Sequence, residues 1–400
     1  MYYYSSILKI IWGEVMRWVV TDDIYSEIWR RLLEFSNIEI TIAEISRRHG
    51  APANNRTRDN YKKQAAQARV CILQAREYFD AARASSIYTS PNHCYYGAVA
   101  LSSAMMLILG DGRNALDYLR GDAKNCHHGL DFNSNCNAAS AASGTVLLER
   151  SYAKIMPFGQ FSNWYRVLPV EGEVNGILKR IVGGHRNVSR EKLGTYDVDE
   201  FSKINGSNFR LIDLLKYLPD LSGDMDRYGI DVVRSRSSME VSVDANNDAL
   251  YSWAIHSCQP ISELDRLLER FSVPSKFSER FQYSGVDGGD GGVVTFTCRT
   301  DEEVGLKWPD SRETINHEFI SYADKINRHE SVDLYIVAYQ LSMLSRYYPD
   351  IWVACIESQC RAAKIVERVI DVFEKKFPIL ALSVIADEDT IVSTHRPPWQ

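Results

Sequence analysis

Apolar residues recur three or four positions apart at Tyr61, Ala65, Ala68, Ile72, Ala75, Phe79 and Ala82, while Arg58, Lys62, Arg69, Arg76 and Arg83 fall between them. That period predicts a helix with one buried face. Ser90-Pro91 opens a second helix, because a proline in the first turn has no amide donor to lose, and Gly110 closes it. Between those signals residues 95–109 are apolar almost all round, so several neighbours must enclose this helix. A comparable stretch returns after Ser331, with Val332, Tyr335, Ile336, Tyr339, Leu341, Met343 and Leu344, and ends before Pro349. Asp350 then caps a last long helix stopped by Pro378. Helices near 57–85, 91–109, 331–346 and 350–376 together predict a bundle.

The rest of the chain divides around that frame. Residues 24–36 form an amphipathic helix with Ile24, Ile28, Leu32 and Leu33 on one side, and Thr41 with Glu44 fits a capping box for a short helix ending at Gly50. A short helical segment spans 115–119, and residues 120–137, rich in Asn, Gly and Asp, read as a loop. β-Branched and aromatic residues in partial alternation predict strands over 145–154, 163–170 and 232–243. Short helices are expected over 209–218 and 261–271, and the glycine-rich residues 284–292 make a hairpin turn into the strand that follows. Residues 379–385 read as a closing strand. The organisation expected is an N-terminal helical segment (1–50), the first half of the bundle (51–130), a mixed α/β insert (131–325), the second half with the closing strand (326–386) and a tail (387–400). The fold class is mainly α with a mixed α/β insert.

Composition narrows the classes of function. Of 400 residues, 45% are hydrophobic and 24% charged, with a net charge of -6, the balance of a globular protein and not of one that coats nucleic acid by charge alone. Eight cysteines are scattered singly, and Cys71, Cys94, Cys355 and Cys360 fall in helical patterns as small core residues, the usage of a reducing cytoplasm. The apolar N-terminus is interrupted by Lys9, Glu14 and Arg17 and falls short of the roughly 20 residues a bilayer needs, which predicts a surface-docking helix and no membrane segment.

Several stretches together resemble the YaaC-like family of bacterial proteins: QAREYFDAARAS, YYGAVALSSAMMLIL, the HGL at 128–130, FGQF at 158–161, FRLIDLLKYLPDL at 209–221, LSMLSRYYPDIW at 341–352 and a late FPILAL. The likeness spans about residues 24–385, and the family implies little about activity. A second likeness is confined to the helices. An alanine-rich helix followed by a proline-started helix with Tyr-Tyr-Gly is similar to the opening hairpin of HEPN-type domains. That resemblance implies a four-helix bundle, here split by the insertion, often dimeric, found in RNA-cutting toxins and antiphage systems and also in noncatalytic binders. Its active members carry an arginine followed four to six residues later by a histidine.

Arg120 and His127, six residues between them, with His128 alongside, supply the chemistry for such cleavage. A histidine near neutral pKa moves the proton of a ribose 2'-hydroxyl, and an arginine stabilises charge developing on the phosphate. Arg180 with His185 and Arg312 with His317 satisfy the same spacing, so the spacing alone does not decide between catalysis and a loop pinned by hydrogen bonds. His185 and Arg186, among glycines, form a second candidate site for an anion, and Arg346 with Tyr347 a third, suited to stacking on RNA or simply to capping a helix C-terminus. Cys126, His127, His128 and Cys136 lack the paired spacing of a zinc site, and GVDGGDGG lacks the Lys-Ser/Thr of a P-loop, so neither metal nor cofactor is expected. Three readings follow. The first is a metal-independent RNA-cleaving effector or toxin in antiphage defence. The second is a noncatalytic module that forms homo-oligomers or docks on a partner protein, and the third a nucleotide or small-anion binder.

Overall fold

The computed structural model describes residues 16–111, 115–168, 198–230, 234–243, 249–257, 282–285, 292–299, 311–313, 318–321, 328–387 and 389–393. They divide into two compact units. The larger, mostly helical unit holds the described residues of 16–170, 194–215 and 329–400, and the smaller holds those of 216–328.

In chain order the helical unit starts with β1 (Met16–Val20), α1 (Ile24–Glu34), α2 (Ile38–His49), α3 (Asn55–Ala84), α4 (Ser90–Leu109) and α5 (Leu116–Arg120). A 3-10 turn (Ala123–Cys126) leads to β2 (Leu130–Ser134), α6 (Ala138–Ala141), α7 (Val146–Arg150), β3 (Ser151–Ile155), α8 (Gln160–Tyr165), α9 (Val198–Ile204), β4 (Asn208–Arg210) and α10 (Leu211–Lys216). The smaller unit contributes α11 (Ser222–Arg227) and strands β5 (Arg234–Val243), β6 (Ala249–Ser257), β7 (Gln282–Gly285), β8 (Gly292–Arg299), β9 (Ser311–Glu313) and β10 (Glu318–Ser321). These strands make one antiparallel sheet in the order β7-β8-β6-β5-β10-β9. The glycine-rich segment joins β7 to β8, which pair with Gly285 opposite Gly292, the hairpin its composition predicts. The chain then re-enters the helical unit with α12 (Glu330–Tyr347), α13 (Pro349–Glu357), α14 (Arg361–Ala386) and β11 (Asp389–Ser393).

Helix α4 lies at the centre, against α3, α12 and α14. The close approach of α3 and α4 depends on Gly97: a Cβ there would stand 2.6 Å from Cε2 of Phe79. Phe79 in turn stacks on Phe373 of α14 at 5.9 Å and leans on Trp29 of α1 at 5.5 Å, so four helices meet at one ring. The carbonyls at the end of α4 have no helical partners. Buried Gln64 fills that role, its amide donating to Leu107 O at 2.8 Å and Gly110 O at 2.9 Å, and His49 Nε2 bonds Leu109 O at 3.0 Å. Helix α2 serves α14 in the same way, with Arg48 donating to the carbonyls of Val384 and Ile385 while Glu44 holds its guanidinium.

Several local expectations are corrected. Pro378 lies inside α14, which continues to Ala386, so residues 379–385 are helical and not a strand. Proline in a helix interior costs about 3 kcal/mol or more. Phe377, Ala381, Leu382, Val384 and Ile385 are all buried along the continued helix, and that burial outweighs the cost. The closing strand is instead β11, which pairs in parallel with β1, so residues 16–20 are extended rather than helical. The helix expected over 350–376 is two helices, broken at Gln359, whose φ of 53° no regular helix accepts. Thr41 does not cap α2. Asn37 does, and the Thr41 hydroxyl donates to Phe35 O.

Residues 130–134, expected as loop, form the first strand of the antiparallel sheet β2-β3-β4. Parts of the strands expected over 145–154 and 163–170 are the short helices α7 and α8, where Leu147 with Leu148 and Trp164 with Tyr165 are buried as adjacent pairs that alternation would separate. This small sheet and its helices, within the stretch expected as an insert, belong to the same compact unit as the long helices. The helix expected over 261–271 and residues 1–15 lie outside the described residues.

Candidate functional site

At the Ser90 end of α4 the all-apolar pattern stops, and four elements bring polar side chains together. The first turns of α4 supply Asn92, Tyr95 and Tyr96. The last turns of α12 supply Ser342 with Tyr339, Ser345 and Arg346, each three or four positions from it and therefore on its face. Asn92 Oδ1 accepts from the hydroxyls of Ser342 at 3.0 Å and Ser345 at 3.1 Å, which ties the two helices together. The Tyr339 hydroxyl donates to Leu130 O at 2.9 Å and anchors the start of β2.

The residues before β2 are pinned by a helix end. The first N–H groups of α8 lack helical partners, and those of Gln160 and Phe161 donate to the carbonyls of His127 at 2.8 Å and His128 at 3.0 Å. Such close backbone contact requires the two glycines. Gly129 has φ 82° and Gly159 φ 103°, and a Cβ on Gly159 would lie 2.6 Å from the Gly129 nitrogen. The loop is thereby held with the His128 ring over α4, where Nδ1 and the Tyr95 hydroxyl hydrogen-bond at 2.9 Å. Tyr95 is itself enclosed, edge-on to Tyr335 at 5.6 Å and Tyr339 at 5.4 Å. His128 Nε2 has no protein partner among the described residues.

Beside this pair Arg346 forms a cation–aromatic stack. Its guanidinium donates to the Tyr96 hydroxyl at 2.7 Å and lies 5.3 Å from the Tyr96 ring and 5.0 Å from the Tyr347 ring. Tyr78 of α3 also stacks on Tyr96, at 5.7 Å. Tyr347 is 63% exposed and Tyr78 37%, so the ladder opens to solvent at both ends. Burial, reinforced by the charge of Arg346 and by His127, holds the His128 imidazole below its ordinary pKa, so it is neutral near pH 7. Burial drives the Tyr95 hydroxyl well above its ordinary value, aided by neighbouring Tyr335 and Tyr339, and it stays protonated.

Of the predicted residues, the structure brings His128, Arg346 and Tyr347 to this one place. Arg120, exposed at the end of α5, donates back to Leu116 O in its own helix at 3.1 Å, and the exposed His127 ring faces Phe158 at 5.5 Å. Among the described residues no hydrogen bond joins Arg120 to His127. His185 and Arg186 lie outside the described residues. Sequence reasoning did not single out Tyr95, Tyr96, Tyr78 or Asn92. The available signal was a pair of hydroxyl-bearing aromatics in an otherwise apolar helix, since a buried tyrosine hydroxyl demands a partner. Among the described residues no group of three or more His, Cys, Asp or Glu is placed to hold a metal ion, and no helix is long and apolar enough to cross a membrane.

The chain belongs to the YaaC-like protein family, whose model matches residues 41–385. Neither a curated protein nor a solved structure matches the chain.

Proposed function

We propose that this chain is a metal-independent RNA-cleaving effector whose working residues are His128 and the Tyr78–Tyr96–Arg346–Tyr347 ladder. The observation that carries the reading is the juxtaposition of a neutral, rigidly held imidazole with a solvent-open stack of aromatic rings around a guanidinium. Successive bases of a single strand stack on exposed tyrosines, and the guanidinium meets the phosphate between them. With Nδ1–H donating to Tyr95, the Nε2 lone pair of His128 takes the proton of a ribose 2'-hydroxyl. The freed oxygen attacks the adjacent phosphorus, the bond to the 5'-oxygen breaks, and that oxygen takes a proton from water. Arg346 faces the charge that develops on the phosphate. Arg120, at the end of α5, and His127, on the loop before β2, are the second pair to compare.

The test is incubation of the full chain with a mixed-sequence single-stranded RNA in the presence of EDTA. Fragments ending in a 2',3'-cyclic phosphate are expected, with His128→Ala lowering the rate about 10²-fold. Intact RNA, or unchanged cleavage by the variant, overturns the reading. In cells, growth arrest on induced expression that is relieved by His128→Ala tests the effector role.

A second reading, self-association, is favoured by Val70 and Leu73, exposed one turn apart on the outer face of α3. It predicts a dimeric mass in solution that Leu73→Asp reduces to a monomer.

A further inference from the structure

The corner between α13 and α14 holds two thiols that the RNA site does not use. Cys355, buried in the last turns of α13, and Cys360, half-buried immediately before Arg361, have their sulfurs 3.8 Å apart. Gln359, with φ 53°, turns the chain so that residues five apart face each other, which a continuous helix would prevent. The corner is docked on the segment before β3. The Ala362 N–H donates to Gly144 O at 2.8 Å, and the Cys360 sulfur lies 3.8 Å from Ala141 O. A disulfide requires about 2.05 Å between sulfurs, so the thiols have roughly 1.8 Å to close.

We infer that Cys355 and Cys360 form a peroxide-reactive dithiol, with Cys360 as the thiol that meets the oxidant and Cys355 as the one that resolves it. The two differ in environment in the direction this requires. Burial works to raise the Cys360 thiol, but the Ser358 hydroxyl, the Ala363 and Ala362 N–H groups at the start of α14 and the Cys355 thiol outweigh it, and its net pKa is lowered. Burial pushes Cys355 well up, with Cys360 and Cys136 adding to the effect, and keeps it a thiol. The Cys360 thiolate attacks one oxygen of the peroxide. A sulfur–oxygen bond forms, the oxygen–oxygen bond breaks, and the leaving hydroxide or alkoxide takes up a proton. The Cys355 sulfur then attacks that of Cys360, the sulfur–sulfur bond forms, and the sulfenic oxygen leaves as water with the Cys355 proton. Two thiols and one peroxide thus give one disulfide, one alcohol or water, and one further water.

The experiment treats the reduced full chain with hydrogen peroxide, blocks remaining thiols by alkylation after denaturation and follows the tryptic peptide of residues 347–361, which carries these two cysteines and no other. The peptide is expected to become two hydrogens lighter and unalkylated, at least tenfold faster than exposed Cys126 is lost, and to recover with dithiothreitol. In Cys355→Ser, a sulfenic acid at Cys360 should be trapped by dimedone. In Cys360→Ser, Cys355 should remain alkylatable, with circular dichroism confirming the fold of both variants. A peptide that stays doubly alkylated while Cys126 oxidises overturns the inference, as does oxidation of Cys355 at an unchanged rate in Cys360→Ser.

Discussion

The two ends of α4 are built on opposite principles. From Ala104 to Leu109 every side chain is apolar and buried, and the carbonyls at that end are closed off by Gln64 and His49 reaching in from other helices. At the Ser90 end the same helix carries Asn92, Tyr95 and Tyr96, each spending its polar atom on a neighbour from α12 or from the loop before β2. The dry end fixes how tightly the helices pack. The polar end fixes which way an imidazole and a guanidinium face. A change at one end should therefore move stability with little effect on His128, and a change at the other the reverse.

The strongest way to break this contrast is at the packed centre. Phe79→Ala empties the space between Trp29, Phe373 and Gly97 and should cost about 3–5 kcal/mol, read from the midpoint of urea unfolding. Gly97→Ala acts from the other side. Its methyl would have to displace a ring already held by two aromatic neighbours, and overpacking of this kind costs about 1–3 kcal/mol.

A carboxyl sharpens the comparison with pH. Burial raises Glu374 of α14 to about 7, with Asp371 adding to the effect and Arg83 and Lys375 opposing it. A carboxyl whose folded pKa lies above the unfolded value of about 4.3 stabilises the fold below that value, and the contribution is lost as pH rises through about 7. Because the group is partly exposed, the expected loss is about 1–2 kcal/mol between pH 5 and pH 8. Unfolding of Glu374→Gln across that range should lack it.

The smallest effect on stability falls at the polar end. Tyr95→Phe should cost about 1 kcal/mol through the lost hydrogen bond. His128, held below its ordinary value, adds the opposite slope to that of Glu374: the unfolded chain binds its proton first, so stability falls as pH drops below about 6.5. Arg346→Ala removes a positive neighbour and should raise the His128 pKa, read directly from the imidazole proton shifts in an NMR titration. An unchanged titration would separate the guanidinium from the histidine.

The long helices were legible because their signals are local and repeated. The three-to-four spacing in α3, the proline at the start of α4 and the apolar run of α12 each set an element without help from the rest of the chain. Where a single residue carried the prediction, tertiary packing could overrule it. Pro378 ended a helix by rule, yet the buried residues beyond it keep α14 intact. The loop over 120–137 had no periodicity to reveal β2, because a strand of five residues is specified by its partner β3.

The site divides in the same way. Sequence alone singled out His128, Arg346 and Tyr347, since histidine, arginine and exposed aromatics announce their chemistry by type. It placed them in separate candidate sites, because residues more than two hundred positions apart share no local signal. Their meeting was decided by the packing of α12 against α4 and by the two glycines that let α8 hold the His128 backbone. Residue type and spacing determined which helices form and which groups could act. Only the tertiary structure decided which of those groups face one another, because that depends on helix packing and backbone contacts between distant segments.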